Sequence, residues 1–273
     1  MIQALASGMA VSAPRARTTT AKLGTHITIR GLTKYYTGKP LYENFNLDIP
    51  KGKIISVFGP NGCGKSTLIN MIAGLVPIDS GEILFDGKNL RDTKIGYVFQ
   101  NYREALFPWM RTIDNIAYPL VLEGRSPADV KHRVDELVTS FDIKFDLNRY
   151  PYELSGGQQQ TASIMRAVAP NPEVIFLDEP FSALDFEMTL FIREKLQEVF
   201  QLMGTTMMLV SHDLEEAVYL ADQVLLLTRR PTRIAEIVSY DEARPRTIDT
   251  ISDPTFVEIK KHCLEIFQRE VRR

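Results

Sequence analysis

Three short stretches of this chain carry residue types at spacings suited to work on phosphate. Gly59-Pro60-Asn61-Gly62-Cys63-Gly64-Lys65-Ser66-Thr67 fits the spacing G-x-x-x-x-G-K-[ST]. Glycines at these intervals let the backbone turn so that successive amides point inward at phosphate oxygens, and a helix opening at the end of the loop adds a favourable dipole. Lys65 then brings its charge to the β- and γ-phosphates, and the Ser66 hydroxyl is a ligand for Mg²⁺. The plain alternative is a glycine-rich turn, although average composition yields this pattern in roughly one such chain in a hundred. Val174-Ile175-Phe176-Leu177-Asp178-Glu179 is an apolar run ending in two acids. Those acids are either a solvated strand end or, beside a phosphate loop, a Mg²⁺ ligand acting through its water shell (Asp178) and a base for an attacking water (Glu179). Leu154-Ser155-Gly156-Gly157-Gln158 sets a hydroxyl and exposed amides ahead of a helix. It reads as a second phosphate cradle or as a helix cap, and Ser155 can serve as both.

These groups need a scaffold. Ile54-Ile55-Ser56-Val57-Phe58, Val174-Ile175-Phe176-Leu177 and Thr206-Met207-Met208-Leu209-Val210 are nearly continuous apolar runs, the pattern of strands buried on both faces of a parallel sheet. Each is followed at once by polar or reactive residues: Gly59, Asp178-Glu179 and Ser211-His212. Ligands of open α/β sheets sit at the carboxyl ends of strands, so the three endings point to one site. Before them, residues 26–30 and 44–49 alternate apolar and polar, the latter closing at the turn Pro50-Lys51-Gly52-Lys53, which predicts an antiparallel sheet at the start. Residues 101–172 read mainly helical, with Ser126-Pro127-Ala128-Asp129 opening a helix through about Phe141. Asp213-Leu214-Glu215-Glu216 opens another. After Arg229-Arg230-Pro231 comes a strand-like stretch at 234–238, then a polar connection and an amphipathic helix with Phe256, Ile259, Cys263, Ile266 and Phe267 on one side. The fold class expected is α/β.

Composition narrows the function. With 273 residues, 44% of them apolar, the chain can bury a sizeable core, and whole-chain disorder is excluded. Basic and acidic residues number 32 and 34, leaving no positive field for nucleic acid, which is therefore not an expected partner. No run approaches the roughly 18 to 20 apolar residues that cross a bilayer. Two cysteines, Cys63 and Cys263, form no disulfide framework and fit a reducing compartment. Residues 1–24 are small and polar and read as a mobile tail; residues 1–10 have no basic leader before them, which argues against a signal peptide. No motif recurs, so the chain holds one cassette.

Leu-Ser-Gly-Gly-Gln placed between a phosphate loop and an Asp-Glu strand resembles the ATP-binding subunits of ABC transporters. The resemblance spans about residues 26–240. It implies a P-loop NTPase core with a parallel sheet, an N-terminal antiparallel β subdomain and an inserted α-helical subdomain. The cassette would occupy residues 25–240, with the helical part at about 101–172 and a C-terminal extension at 241–273. ATP and Mg²⁺ are the ligands implied. Residues 59–67 would hold the triphosphate, and Tyr36 would stack on adenine, with Tyr35 the second candidate and a core tyrosine the alternative for either. Ser66, Asp178 and Gln100 would serve the metal. Glu179, Gln100 and His212 would be catalytic, His212 contacting the γ-phosphate. Ser155, Gly156, Gly157 and Gln158 would complete the site of a second chain, and Asp185, in Ser182-Ala183-Leu184-Asp185, would communicate across the dimer. Thr161 departs from the arginine common at this place in the family, so a salt bridge on that helix is missing. Cys63 in the phosphate loop suggests inactivation by thiol reagents that nucleotide would block.

The resemblance also implies partners. These are a second ATPase chain, identical or homologous, arranged head to tail; transmembrane permease subunits; and, indirectly, an external solute-binding protein. The chain would then be peripheral, on the cytoplasmic face of the membrane. Leu106, Phe107, Trp109 and Met110 would line a groove for a short permease helix, or else pack internally. The stretches Leu106-Phe107-Pro108-Trp109 and Arg229-Arg230-Pro231-Thr232-Arg233-Ile234 resemble the nitrate/sulfonate/taurine/bicarbonate import group, which implies a small oxyanion or organosulfonate as cargo. The terminal helix would sense cargo, contact a partner or cover its own domain. An ABC-type ATPase not coupled to transport is the rival reading.

Overall fold

Two patterns of hydrophobicity become two sheets in the computed structural model, which describes residues 24–272 except residue 183. The expected tail, apart from Gly24, and Ala183 lie outside the described residues. Strands β1 (Thr25–Tyr36) and β2 (Lys39–Pro50) form an antiparallel hairpin. Strand β3 (Ile54–Phe58) runs through the glycine-rich loop into helix α1 (Lys65–Ile72), and β4 (Ser80–Phe85) returns to pair antiparallel with β1. The expected antiparallel start is thus a three-stranded sheet of order β2-β1-β4. Its inward residues, among them Ile27, Ile29, Leu41, Phe45 and Ile49, pack with Leu68, Ile69 and Ile72 of α1 in one apolar cluster.

The second sheet begins with β5 (Ile95–Val98) and continues after a helical insert. The insert holds α2 (Tyr102–Ala105), α3 (Thr112–Leu122), α4 (Pro127–Ser140) and α5 (Gly156–Val168). As the sequence predicts, Ser126 caps α4 by accepting the Asp129 amide, with Pro127 in its first turn. Then follow β6 (Val174–Asp178), α6 (Phe186–Met203), β7 (Thr206–Val210), α7 (Leu214–Leu220), β8 (Gln223–Leu227), β9 (Ile234–Ser239) and α8 (Pro254–Arg272). The six-stranded order is β5-β6-β7-β3-β8-β9, parallel throughout except that β9 runs antiparallel to β8. Every residue of β3, β6 and β7 is buried, which is why those segments read as unbroken apolar runs.

Residues beyond 240 are tied into the same core. Phe256, Cys263 and Ile266 of α8 are buried in the large apolar cluster, with Ile259 and Phe267 packed against it. The Phe267 ring lies 5.1 Å from Phe58 at the end of β3. Of the roles expected for the terminal helix, covering its own domain is the one these contacts perform. Arg246 is 1% exposed and spends its guanidinium on the carbonyls of Val218, Tyr219, Ala221, Tyr240 and Glu242. A buried cation needs such partners, and here it closes the carboxyl end of α7.

Candidate active site

Strand β3 delivers the chain to the phosphate loop, and α1 starts at its far end. Gly64 sits at φ +103°, where L-residues are strained, and a Cβ there would lie 3.0 Å from the Leu41 methyl groups. The Lys65 ammonium donates to the carbonyls of Gly59 (3.0 Å) and Pro60 (3.3 Å), so the cation is stored inside its own loop. Three residues that sequence reasoning missed anchor this loop from outside. Arg230 Nε donates to the Gly62 carbonyl (2.7 Å), Thr232 Oγ1 to that of Cys63 (2.5 Å) and Tyr42 Oη to that of Gly64 (3.0 Å). In a trans peptide the N–H points opposite to the C=O, so anchoring the last two carbonyls turns the amides of Gly64 and Lys65 the other way, as a phosphate cradle requires. Tyr42 lies outside every stretch singled out in the sequence, and Arg230 and Thr232 enter it only through the stretch that resembles the import group. Nothing local marks them.

Cys63 corrects an expectation. Its side chain is 2% exposed in the apolar cluster under the loop, and burial pushes the thiol above its ordinary value. A neutral, covered thiol reacts slowly, so inactivation by thiol reagents does not follow from its place in the motif.

The carboxyl ends of β5, β6 and β7 lie side by side, because these strands are neighbours in the sheet. Asp178 ends β6 and accepts a hydrogen bond from Ser66 Oγ at 2.8 Å. Burial raises the Asp178 carboxyl above its usual range, with the Ser66 bond opposing and Glu179 adding to the shift. Glu179 follows at φ +45°, a left-handed conformation uncommon for a side chain of this size, held by its amide bond to the Val210 carbonyl (2.9 Å). That twist aims the carboxylate at two neighbours. Glu179 Oε2 accepts from Gln100 Nε2 at 2.7 Å and lies 3.5 Å from His212 Nδ1. Gln100 follows β5, and His212 follows β7 through Ser211, whose hydroxyl is fixed on Glu216 (2.7 Å). The residues expected to be catalytic therefore converge on one oxygen. The metal set fits as well: Ser66 and Asp178 offer hard oxygens, and the Gln100 amide, with its nitrogen on Glu179, keeps an oxygen free.

Other expected site residues lie elsewhere. Tyr36 and Tyr35 are each 42% exposed, so neither is a core tyrosine. Ser155 caps α5 in a reciprocal box: it accepts the Gln158 amide (3.3 Å) while Gln158 Oε1 accepts the Ser155 amide (3.0 Å). The cleft over the phosphate loop, about 800 Å³, is lined by residues 58–63, His212, Arg229, Arg230, Phe267 and Val271, and by none of residues 155–158. Gln158 instead lines a pocket of about 420 Å³ together with Thr161 and Asp185. Thr161 is buried and donates to the Gly157 carbonyl (2.8 Å), satisfying itself within the helix. Asp185 caps α6 by accepting the Met188 amide (2.8 Å).

Residues 42–182, which hold all three motif stretches, match the ABC transporter family. The chain belongs to that family. Among curated ABC relatives, a sulfate/thiosulfate import ATP-binding protein of Neisseria meningitidis is 40% identical over 210 residues, covering 74% of this chain. The chain spans 58% of the length of that relative. An aliphatic sulfonates import ATP-binding protein of Bacillus cereus is 36% identical, with 89% of this chain and 96% of the relative covered. A taurine import ATP-binding protein of Escherichia coli is 38% identical, covering 84% and 92% respectively. Among solved structures, a dimeric bacterial ABC transporter cassette superposes with a TM-score of 0.70 at 30% identity, covering 80% of this chain and all of that one.

The ABC cassette described here carries one further surface. A groove of about 800 Å³ is lined by Tyr97, Phe99, Gln100, Glu104, Phe107, Tyr118 and Arg166 among others. The stretch expected there divides: Leu106 is 1% exposed and packs inside, whereas Trp109 is 74% exposed, with Phe107 5.5 Å from its ring.

Proposed function

We propose that this chain is the ATP-hydrolysing subunit of an ABC importer for a small oxyanion or organosulfonate. The observation that carries hydrolysis is the convergence of Gln100 and His212 on Glu179 Oε2, beside the Ser66–Asp178 pair. On ATP binding, Lys65 leaves the carbonyls of Gly59 and Pro60 for the β- and γ-phosphates, a stronger charge-assisted partner. Glu179, as carboxylate, takes the proton of the attacking water while the water oxygen bonds to the γ-phosphorus and ADP departs. Gln100 orients Glu179, and His212 donates to the γ-phosphate oxygens as charge builds there. Mg²⁺, held by Ser66, Gln100 and the water shell of Asp178, would neutralise charge on the β- and γ-phosphates.

A single chain would leave the γ-phosphate open to water, since Gln158 lines a pocket apart from the one over Gly59–Cys63. Two chains head to tail would close both sites, each phosphate loop facing the partner's Ser155, Gly156, Gly157 and Gln158. The dimeric assembly named for a solved cassette supports this reading. ATP then favours the closed pair, which binds it better than the open one, and hydrolysis releases it. Asp185, which shares a pocket with Gln158, would pass that change between the sites.

Transport is supported by the sulfate/thiosulfate, aliphatic sulfonate and taurine import relatives. No helix among the described residues is long and apolar enough to cross a membrane. In this reading the translocation path would belong to permease subunits, which this chain would serve from the cytoplasmic face, as the import relatives support. The groove beside Phe107 and Trp109 is the surface we assign to the permease. The test is reconstitution with permease and solute-binding protein in liposomes. ATP hydrolysis should rise with taurine, an alkanesulfonate, sulfate, nitrate or bicarbonate; hydrolysis with no stimulation by any of them would overturn the cargo class and leave the ATPase standing.

A further inference from the structure

A second cluster of ligating side chains lies at the opposite end of strand β6 from Glu179. His26 near the start of β1, Asp86 just after β4 and Glu173 just before β6 bring one imidazole nitrogen and two carboxylate oxygens within 4.8 Å of one another. The group is framed by backbone pairing. The Asp86 amide donates to the His26 carbonyl (2.7 Å), and the Thr206 amide to that of Glu173 (3.0 Å). The sheet length of about five residues, ~16 Å, separates it from the nucleotide site.

Acidic side chains near a histidine occur often, and on that ground alone the cluster would be an ordinary ion pair. Two observations argue otherwise. His26 is 1% exposed, and its Nε2 has no hydrogen-bond partner although it is fully buried. Such an atom is uncommon in a folded protein and calls for an explanation. Asp86 does not supply one: its nearest carboxylate oxygen is 3.8 Å away and is taken by Lys51 Nζ at 2.6 Å. The other ring nitrogen is engaged, with Nδ1 2.6 Å from Thr206 Oγ1, which itself accepts the Gly52 amide (2.9 Å). A metal ion at Nε2 would put the ring proton on Nδ1, where Thr206 Oγ1 accepts it, and a hydrogen-bonded second nitrogen is the usual support of a histidine metal ligand.

We propose that His26, Asp86 and Glu173 form a binding site for a divalent transition metal of the zinc type. One neutral imidazole and two carboxylates are ligands such an ion accepts at about 2.0–2.2 Å, with water in a fourth position. Tetrahedral bonds of that length place ligand atoms about 3.3 Å apart, so Asp86, 3.8 Å from Nε2, must close by about 0.5 Å, and no pair in the group, all within 4.8 Å, by more than about 1.5 Å. Burial also holds His26 below its ordinary value, which keeps the ring neutral and competent at pH 7. The ion would fasten the antiparallel sheet, through β1 and the turn after β4, to the amino-terminal ends of β6 and β7. It is separate from the Mg²⁺ that accompanies nucleotide.

The experiment uses the full chain, stripped with chelator and free of nucleotide. Isothermal titration with Zn²⁺ alone should show one tight equivalent, and Zn²⁺ but not millimolar Mg²⁺ should raise the unfolding temperature. Asp86→Asn and Glu173→Gln, both at exposed carboxylates, should each weaken Zn²⁺ at least tenfold, and His26→Asn should abolish the tight equivalent. Should His26→Asn fail to fold, the two carboxylate variants decide. The surface pairs His132–Glu136 and His262–Glu236 are the competing sites, so a His132→Ala, His262→Ala double variant should keep full affinity. Loss of binding in that double variant, unchanged binding in both carboxylate variants, or no tight binding at all would overturn the proposal. ATP hydrolysis is not read, so the outcome is independent of the function proposed above.

Discussion

Glu179 concentrates both the chemistry and the strain of the site in a single residue. Its carboxylate receives Gln100 and faces His212 while its backbone occupies φ +45°. Glu179→Gln keeps shape and hydrogen bonding but cannot take a proton. Turnover should fall by about 10²–10⁴-fold with ATP affinity unchanged, measured by phosphate release and nucleotide titration; full turnover would remove Glu179 as the base. Glu179→Gly should be equally inactive yet unfold later, because glycine relieves the left-handed strain, by up to about 1 kcal/mol. Lys65→Ala should raise the dissociation constant for ATP, and unchanged affinity would sink the phosphate-loop assignment. The thiols answer a different question. Burial disfavours the thiolate at both, and Cys263 is pushed up to about 12. At pH 7–8 both are neutral and covered, so a disulfide reagent should label the native protein slowly and two sites at once on denaturation.

At the first turn of helix α5 the observed cap and the proposed phosphate contact can be separated by experiment. Ser155 and Gln158 cap each other, so Ser155→Ala should cost about 1 kcal/mol in thermal or urea unfolding. Aspartate is as good a cap as serine, so Ser155→Asp should restore that stability. If the same hydroxyl faces a phosphate in a second chain, the aspartate charge repels it, and turnover should stay lost despite normal stability. Recovery of both together would reduce Ser155 to a cap. The phosphate loop is held in a similar way by elements distant in sequence. Arg230→Ala and Thr232→Val free the Gly62 and Cys63 carbonyls, and should raise KM for ATP more than they lower kcat.

At the scale of the whole molecule, residues beyond 240 stabilise the cassette from within. Arg246 closes α7 and also bonds to Gln197 of α6 through its own backbone, the amide at 2.7 Å and the carbonyl at 3.1 Å. Burial and the neighbouring Arg244 lower its guanidinium to about 10, still charged at neutral pH. Removing it leaves five carbonyls without their donor. Arg246→Ala should therefore destabilise the chain by about 3 kcal/mol, read from urea unfolding. Association is the other whole-molecule property. With ATP, Glu179→Gln should migrate as a stable dimer in size exclusion, since the closed pair forms but cannot release; a monomer under those conditions would contradict head-to-tail closure.

Much of this protein was legible along the chain because its chemistry is local. A phosphate loop needs glycines, a lysine and a hydroxyl within nine residues, and a buried strand must be apolar throughout, so residues 59–67 and β3, β6 and β7 announce themselves. The caps at Ser126, Ser155 and Asp213 are local for the same reason: a helix amide lies two or three residues from its cap. Glu179 could be named from its place after an apolar run, and Gln100 and His212 through the family resemblance, but only the sheet order puts β5, β6 and β7 side by side and brings the three together. Arg230 and Thr232 anchor carbonyls 168 and 169 residues away, and His26 meets Thr206 across 180. No periodicity encodes a contact of that span. It exists because parallel crossovers stack distant segments, and the packing of those layers decided which polar atoms find partners and which, like His26 Nε2, are left without one.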